Sequence, residues 1–227
     1  KKASLKPFDF KLNIIFEDDD LIVLNKPAGI IMHPGAGNFD NTIVNALIKY
    51  DKDSLSNIGD ELRPGIVHRI DKETSGIFII AKNRKFAQLF TSLFRIRKIH
   101  KTYLALVYGK VNNSIKSMRD ELSYYEGNKK ISQKAISNLK ILKSNEGFSF
   151  VELNPITGRK HQLRKQLLKI GNPIIGDDKY FLNDRKKIKT KNLMLHAYKI
   201  KFMINNVQYN FKARYNESFK NFLYKIF

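Results

Sequence analysis

Residues 63–83 read RPGIVHRIDKETSGIFIIAKN, a stretch in which charged side chains lie between two apolar segments. The segments GIV and GIFIIA have the apolar, β-branched composition of strands. Five titratable side chains follow closely between them: His68, Arg69, Asp71, Lys72 and Glu73. A carboxylate such as Asp71, at a turn between two buried strands, has little freedom and can point into a cleft. The simpler interpretation is a turn aspartate that caps backbone amides, and for an isolated aspartate that interpretation is favoured.

The segments on either side of this stretch predict more strands, joined by short turns. LNIIFEDDDLIVLNKPAG predicts two strands around an acidic turn, and AISNLKIL with GFSFVEL predicts a hairpin. HKTYLALVYG, HAYKIKFMI and VQYNFKA also have strand character. Helices are predicted at TIVNALIKY, over residues 83–96, at KHQLRKQLLKIG and at the C-terminal end. Because few helices separate consecutive strands, we predict an α+β fold with a mixed, mainly antiparallel sheet, and not a doubly wound fold.

Positive charge is the strongest signal in the composition. The 42 basic and 21 acidic residues of the 227-residue chain give a net charge of +21. Residues 1–100 hold 16 basic and 12 acidic residues, a net +4, and residues 101–227 hold 26 and 9, a net +17. A surface this basic attracts polyanions, and nucleic acid is the leading candidate partner. The alternative is that lysine simply fills exposed positions and keeps the protein in solution.

Several classes of protein are excluded or disfavoured by the composition. The chain has no cysteine, which excludes disulfides, thiolate metal sites and cysteine nucleophiles. No apolar run is long enough to span a bilayer, and the N-terminal KKASLKPFDF lacks the apolar centre of a signal peptide. We therefore expect a cytoplasmic protein without a membrane partner. The first residue is not Met, so upstream residues can be missing.

The segment NPITGRKHQLRKQL is the second unusual stretch. Its predicted helix carries three basic residues in the first turn, Arg159, Lys160 and His161. Acidic side chains suit a helix N-terminus better, so this choice indicates a bound anion, and a phosphate of RNA is the natural candidate. Arg164 lies beside the apolar stripe of the helix, and a half-buried arginine needs a carboxylate partner. Surface solubility explains the neighbouring lysines but explains Arg164 less well.

Six motifs occur along the chain in a recognisable order: LNKPAGIIMHPG, HRIDKETSG, KTYLALVYG, TGRKHQLR, NPIIGDDKY and LHAYKI. Together they resemble the RluA/RluC/RluD family of RNA pseudouridine synthases, over nearly the whole chain. The resemblance implies a mixed, mainly antiparallel sheet in two lobes around a central cleft. It also implies one catalytic domain over residues 1–227, without the N-terminal S4 RNA-binding domain that many members carry, and neither a cofactor nor a metal.

The resemblance further implies an isomerisation, in which the N1–C1′ bond of a uridine breaks and C5 of the uracil joins C1′. Asp71 matches the catalytic aspartate, Tyr103 the tyrosine that packs on the uracil, and Arg164 the basic residue paired with the aspartate. Arg69 matches the arginine that replaces the flipped base. His68, Arg159 and His161 complete the set that we expect to contact RNA or assist base flipping. A base within a helix is unreachable, so flipping is required for this chemistry.

Two departures and two alternatives remain at this point. The family usually has an apolar residue and His after HQLR, where this chain has Lys165 and Gln166, and usually has Gly where Phe181 stands. One alternative is a non-catalytic RNA-binding ribosome-assembly factor, and the other is an aspartate-dependent RNA glycosylase. Ordinary glycosidases need a carboxylate pair, and no second acidic residue stands out. The long spacing before RPGIVHRID favours large-subunit ribosomal RNA as the substrate, and we expect a monomer.

Overall fold

The computed structural model describes residues 5–35, 40–51, 55, 63–127, 129–182 and 186–227. These residues fall into two compact units. Unit 1 comprises Lys1–Ile99 and Lys199–Arg214, and unit 2 comprises His100–Tyr198 and Tyr215–Phe227. In the described part of the chain no helix is long and apolar enough to cross a bilayer.

Unit 1 contains a small antiparallel sheet with a helix on each face. Its strands are β1 (Ile14–Glu17), β2 (Leu21–Lys26) and β3 (Ser75–Ala81), and its helices are α1 (Ile43–Asp51) and α2 (Arg84–Arg95). Strand β2 pairs with both β1 and β3. Every residue of β3 is buried, since one face of the sheet packs under α1 and the other under α2. The side chain of Asn83 caps α2 by accepting the Phe86 N–H at 2.9 Å.

Unit 2 contains four antiparallel strands in the order β4–β7–β6–β5. The strands are β4 (His100–Tyr108), β5 (Ser117–Glu126), β6 (Lys129–Ser144) and β7 (Phe148–Pro155). Two helices, α3 (Gln162–Lys169) and α4 (Glu217–Ile226), bury apolar side chains in the same core, namely Leu163, Leu167, Phe219 and Leu223. The hairpin predicted from AISNLKIL and GFSFVEL is confirmed as β6–β7.

Of the last two strands, one has residues in both units and the other lies in unit 1. Strand β8 (Leu195–Ile204) passes from unit 2 to unit 1 after Tyr198, and β9 (Val207–Lys212) pairs with its second half. The pairings observed within the units are antiparallel, so the predicted α+β class with a mainly antiparallel sheet is confirmed.

One flank of the opening stretch does not form the predicted strand. Only Ile66 of the GIV segment pairs, in a single bridge to Ile80, and residues 67–71 are irregular. The chain bends at Gly65, which has φ +72° and lies so close to the end of β3 that a Cβ there would come within 2.8 Å of the Ala81 carbonyl oxygen. The charged group therefore lies between one bridge residue and one true strand.

Candidate active site

Asp71 lies at the start of a tight turn that leads into β3. The Thr74 N–H donates to the Asp71 carbonyl at 3.1 Å. Ile70 on one side and Thr74 on the other are 8% and 2% exposed, while Asp71 itself is half-buried. Buried neighbours on both sides restrict the backbone of Asp71. The prediction that its carboxylate points into a cleft stays a prediction.

The buried side chain of Lys26 holds this turn through a hydrogen bond. Lys26, at the end of β2, is 1% exposed, and its ammonium donates to the carbonyls of Pro27, Ile30 and Lys72 at 2.7, 3.1 and 3.0 Å. The Gly29 N–H donates to the same Lys72 carbonyl at 2.9 Å. The KPAG segment and the turn after Asp71 are therefore held together at one carbonyl oxygen.

Burial lowers the pKa of Lys26 from 10.5 to about 7, and the nearby carboxylates of Glu73 and Asp71 oppose that shift. The three carbonyls accept all three N–H bonds of the ammonium form. Sequence analysis missed this residue, although a lysine at the end of an apolar strand, within the LNKPAG motif, was a usable signal.

His68 and Arg69 point in different directions. The ring of His68 stacks on Phe78 and Phe94, with centroids 4.4 and 5.5 Å apart, and its Nε2 accepts the Ile79 N–H at 2.8 Å. Arg69 is exposed. His68 therefore anchors the segment to β3, and Arg69 has the access that a contact with RNA requires. Their predicted roles in base flipping stay predictions.

Arg164 forms a buried ion pair within unit 2. Its Nε and Nη2 donate to the two carboxylate oxygens of Asp177, both at 2.7 Å, and the two side chains are 6% and 0% exposed. The Tyr180 ring lies 5.0 Å from the guanidinium carbon. The sequence predicted that Arg164 needs a carboxylate, and Asp177 is one that it did not identify. The pairing of Arg164 with Asp71 stays a prediction.

Asp177 is fixed by backbone as well as by Arg164. Its Oδ1 accepts the N–H groups of Lys179 and Tyr180, both at 2.9 Å. Burial raises the pKa of Asp177, but the hydrogen bonds from Arg164 and from these N–H groups outweigh burial and hold the pKa below its usual value. The carboxylate is therefore ionised at neutral pH and holds the guanidinium in one plane.

The three basic residues before Gln162 precede α3 and do not form its first turn, which corrects the predicted start of that helix. His161 has a left-handed backbone, φ 54°, so the right-handed helix begins only at the next residue, Gln162. The His161 side chain makes no cap hydrogen bond. His161 Nδ1 lies 2.8 Å from the Tyr180 hydroxyl, and Arg159 Nε donates to the Lys134 carbonyl at 3.1 Å. Their predicted contacts with RNA phosphate stay predictions.

Two buried glutamines fix α3 against the hairpin β5–β6. Gln162 Oε1 accepts the Arg159 N–H and the Thr157 hydroxyl at 3.0 and 2.7 Å. Gln166, 0% exposed, accepts the Ser137 hydroxyl at 2.7 Å and donates to the carbonyl of Ala135 at 3.1 Å. Gln166 is one of the two departures from the usual family sequence, and here it serves to anchor the helix that carries Arg164.

Tyr103 lies half-buried in β4, opposite Leu153 of β7, and packs against the core of unit 2. Its neighbour Lys101 is the other lysine whose pKa burial lowers. Thr102 and the Lys101 carbonyl bind the Asn154 amide, at 3.0 and 3.3 Å. The beginning of β4 is thus fixed directly before Tyr103, the residue expected to face the uracil. Among the described residues, no group of His, Asp and Glu side chains could hold a metal ion.

Comparisons with known proteins agree with this set of motifs. Residues 20–169 match the family model described as RNA pseudouridylate synthase. The chain belongs to the RNA pseudouridylate synthase family. The family and the enzyme class predicted from the sequence are therefore confirmed, and these matches support neither of the two alternatives, the binding factor and the glycosylase.

Two relatives of this pseudouridylate synthase are bacterial. The ribosomal large subunit pseudouridine synthase D of Borreliella burgdorferi is 37% identical over 96% of the chain and 69% of that protein. The protein of the same name from Zymomonas mobilis is 36% identical over 79% of the chain and 59% of that protein. The chain thus spans about three fifths to two thirds of the length of these relatives.

A solved structure supports the fold of this pseudouridylate synthase. The human RNA pseudouridylate synthase domain-containing protein 4 is 26% identical, with a TM-score of 0.75, over 94% of this chain and 92% of that one. The family's fold therefore extends beyond the residues that the family model matches.

Proposed function

We propose that this protein converts specific uridines of large-subunit ribosomal RNA to pseudouridine, with Asp71 as the catalytic residue. The observation that carries the proposal is the turn of Asp71. Asp71 is half-buried, and its backbone lies between the buried residues Ile70 and Thr74, in a turn that the buried Lys26 holds at the Lys72 carbonyl. A structural aspartate would not need this support, whereas a reacting group has to be held in place. The relatives named ribosomal large subunit pseudouridine synthase D support the choice of RNA.

The proposed reaction is an isomerisation, so the bonds and protons lost by the uridine are matched by those it gains. The N1–C1′ bond of the uridine breaks, the uracil turns, a C5–C1′ bond forms, and the C5 proton is lost while N1 gains one. Positive charge develops on the sugar as the first bond breaks. An ionised Asp71 can oppose that charge, attack C1′, or remove the proton at C2′, and each route requires the carboxylate.

Two residues of unit 2 complete the proposed catalytic set. Arg164 is the basic residue that we propose for the reaction, and Asp177 fixes the orientation of Arg164 through Nε and Nη2. Tyr103 stacks on the extruded uracil, since an aromatic ring suits a flipped base. In this proposal residues 1–227 form one catalytic domain.

The remaining predicted residues act on the RNA around the target. Arg69, exposed beside Asp71, fills the gap that the flipped uridine leaves. Arg159 and His161, before α3, bind phosphate. His68 positions Arg69 and Asp71 through its contacts with β3. We further propose that the protein acts as a monomer in the cytoplasm, where ribosomal RNA is made.

The test is single-turnover pseudouridine formation by Asp71→Asn, measured beside its melting temperature and RNA affinity. The amide keeps the shape of the side chain and removes its charge. We expect the rate to fall about a thousandfold or more, which corresponds to about 4 kcal/mol of barrier. RNA affinity is expected to survive, because phosphate contacts elsewhere supply most of it. The matched control is Asp9→Asn, an exposed aspartate of the same unit.

Three outcomes contradict the proposal. Activity of a folded Asp71→Asn protein within tenfold of the parent would remove Asp71 from the reaction. An abasic site in the product RNA would identify a glycosylase. RNA that is bound by the parent protein but chemically unchanged would identify a binding factor.

A further inference from the structure

An apolar groove with a basic rim lies in unit 2, at the end of the sheet opposite Tyr103. Two adjoining cavities, of about 560 and 610 Å³, share Gly147, Phe148 and Ile188. Tyr108, which lines the second cavity, is five residues beyond Tyr103 in β4, roughly 17 Å along the strand. The groove is therefore separate from the residues that we assign to the reaction.

Hydrogen bonds fix the walls of this groove. The Ile188 N–H donates to the Tyr108 hydroxyl at 2.8 Å and ties the loop 186–189 to β4. The Asn145 amide donates to the Ile226 carbonyl at 2.8 Å and ties the end of α4 to the β6–β7 turn. The oxygen of the same Asn145 amide accepts the Phe148 N–H at 2.9 Å. The groove is thus formed before anything binds, and a ligand does not have to order it.

The floor of the groove is aromatic. Phe148 and Phe222 meet edge to face, with ring centroids 6.2 Å apart, and both are half-buried. Ile188 and Ile226 extend the apolar surface. The exposed part of either ring can pack against the face of a nucleobase, because every base can stack on an aromatic ring.

The rim of the groove is basic. Lys186, Lys187 and Lys189 line one cavity, and Lys225 lines the other. The nearby carboxylates of Asp178 and Glu146 are each paired with a lysine, Lys187 and Lys110. Within the described residues Lys189 and Lys225 form no ion pair. Their charge therefore favours an anionic ligand, and an RNA strand carries such a charge at every phosphate.

We infer that this groove binds one unpaired nucleotide of the RNA substrate, outside the site of modification. The base stacks on the face of one of the two rings, Phe148 or Phe222, and contacts the edge of the other, while Lys189 and Lys225 contact the flanking phosphates. The inference rests on the proposed function only in taking RNA as the ligand. Each cavity falls in the range of about 300–1,000 Å³ that is usual for small-molecule sites, which is enough room for a single nucleotide.

A tryptophan reporter tests the groove directly, since the chain contains no tryptophan. Phe222→Trp places a unique fluorophore in the floor. A short RNA oligomer of adenosine and cytidine, which contains no uridine and cannot be modified, is expected to quench its emission. Ile226→Trp provides a second reporter if Phe222→Trp proves to lower the melting temperature.

Matched lysine variants test whether the lysines of the groove contribute to RNA binding there. With either reporter, Lys189→Gln with Lys225→Gln is expected to weaken binding about tenfold and to reduce the salt slope by about 1.4, at about 0.7 for each phosphate contact with a single strand. Lys116→Gln with Lys140→Gln removes the same charge from exposed positions of unit 2 that do not line the groove, and is expected to change neither quantity.

The inference is overturned if neither reporter is quenched, or if both lysine pairs have the same effect. Quenching by oligoglutamate as strong as that by RNA would indicate an acidic peptide site instead. Failure here is distinguishable from failure of the proposed function. Single-turnover activity on a short stem-loop that contains the target uridine depends on Asp71, and it is expected to be unchanged in the groove variants.

Discussion

Arg164 and Asp177 form a buried, bidentate ion pair, so each charge depends on the other to lie in the interior of unit 2. Asp177→Asn keeps the acceptor for the two backbone N–H groups and removes the negative charge. We expect it to cost about 3–5 kcal/mol of unfolding free energy, the usual result when one partner of a buried pair is removed. Asp178→Asn is the matched control, since its carboxyl is 91% exposed, and it should cost no more than about 1 kcal/mol.

Urea unfolding measures the free energy of unfolding of both variants. Single-turnover kinetics tests separately whether Asp177 positions Arg164 for the reaction. If Asp177 orients Arg164 for the reaction, Asp177→Asn lowers the rate constant at saturating RNA and leaves RNA affinity close to that of the parent. Equal unfolding free energies for Asp177→Asn and Asp178→Asn would show that the buried pair has no net effect.

Lys26 predicts an unusual dependence of stability on pH. Its folded pKa of about 7 lies below the ordinary value of 10.5, so between these values the unfolded chain binds more protons and stability rises with pH. The rise is at most about 1.4 kcal/mol per pH unit. Lys26→Met should lose this rise and also slow the reaction, because the turn of Asp71 loses its support.

Lys72→Met is the matched control for Lys26, since it alters an exposed side chain of the same turn and leaves the Lys72 carbonyl in place. The prediction is tested by the free energy of chemical unfolding at pH 7 and pH 9 and by the rate of pseudouridine formation at pH 7. Parallel pH profiles for the parent and Lys26→Met would contradict the prediction.

At the residue scale, the sequence predicted functional residue types better than it predicted their partners. The motifs indicate Asp71, Arg69 and Tyr103 as site residues, and their roles stay predictions; the structure shows Asp71 in a turn whose flanking residues are buried. The need of Arg164 for a carboxylate follows from its place beside an apolar stripe. The sequence could not identify Asp177 as the partner of Arg164. The segment between α3 and Asp177 is irregular, and hydrophobic periodicity does not predict the path of an irregular segment.

At the scale of elements, α3 depends on a polar anchor as well as on its apolar face. Gln166 is fully buried and binds Ser137 and the Ala135 carbonyl across the hairpin β5–β6. Gln166→Leu keeps the volume and leaves these groups without their partner, which costs about 1–3 kcal/mol for each unsatisfied group. Hydrogen exchange of the α3 amides should become faster, while Lys165→Gln, on the more exposed side of the helix, should leave it unchanged.

Helices and the hairpin β6–β7 were predicted, since each shows a clear apolar period. Strand β5 was not predicted, because its sequence SMRDELSYYE is highly polar and its side chains are mostly exposed at the edge of unit 2. The GIV segment shows the opposite error. Its composition is that of a strand, but its pairing with β3 ends after one bridge, and beyond it the His68 side chain, not a backbone carbonyl, accepts the Ile79 N–H of β3.

At the scale of the whole molecule, the excess of positive charge predicts a strong dependence of RNA affinity on salt. Residues 101–227 carry a net charge of +17. Each phosphate neutralised on duplex RNA contributes about 0.9 to the slope of log affinity against log salt, by analogy with B-DNA. A gel-shift titration between low and physiological salt should therefore show a steep fall. A flat titration would mean that the lysines serve solubility alone.

The division into two units was not visible in the sequence beyond the expectation of two lobes. The boundary falls inside β8, between Tyr198 and Lys199, where the composition does not change and no glycine, proline or serine-rich linker occurs. The alternation of apolar residues continues through β8, so the sequence pattern predicts a single strand within a single unit.

The path of the chain has a consequence for how the protein is made. Phe202 of β8 packs edge to face on Phe90 of α2, with centroids 4.9 Å apart, and so helps to close the core of unit 1. Phe219 and Leu223 of α4 do the same for unit 2. Both cores thus include side chains from the last 30 residues. A nascent chain on the ribosome cannot complete the core of unit 1 before β8 is made, or that of unit 2 before α4 is made, and a product truncated before β8 leaves apolar surface exposed in both units.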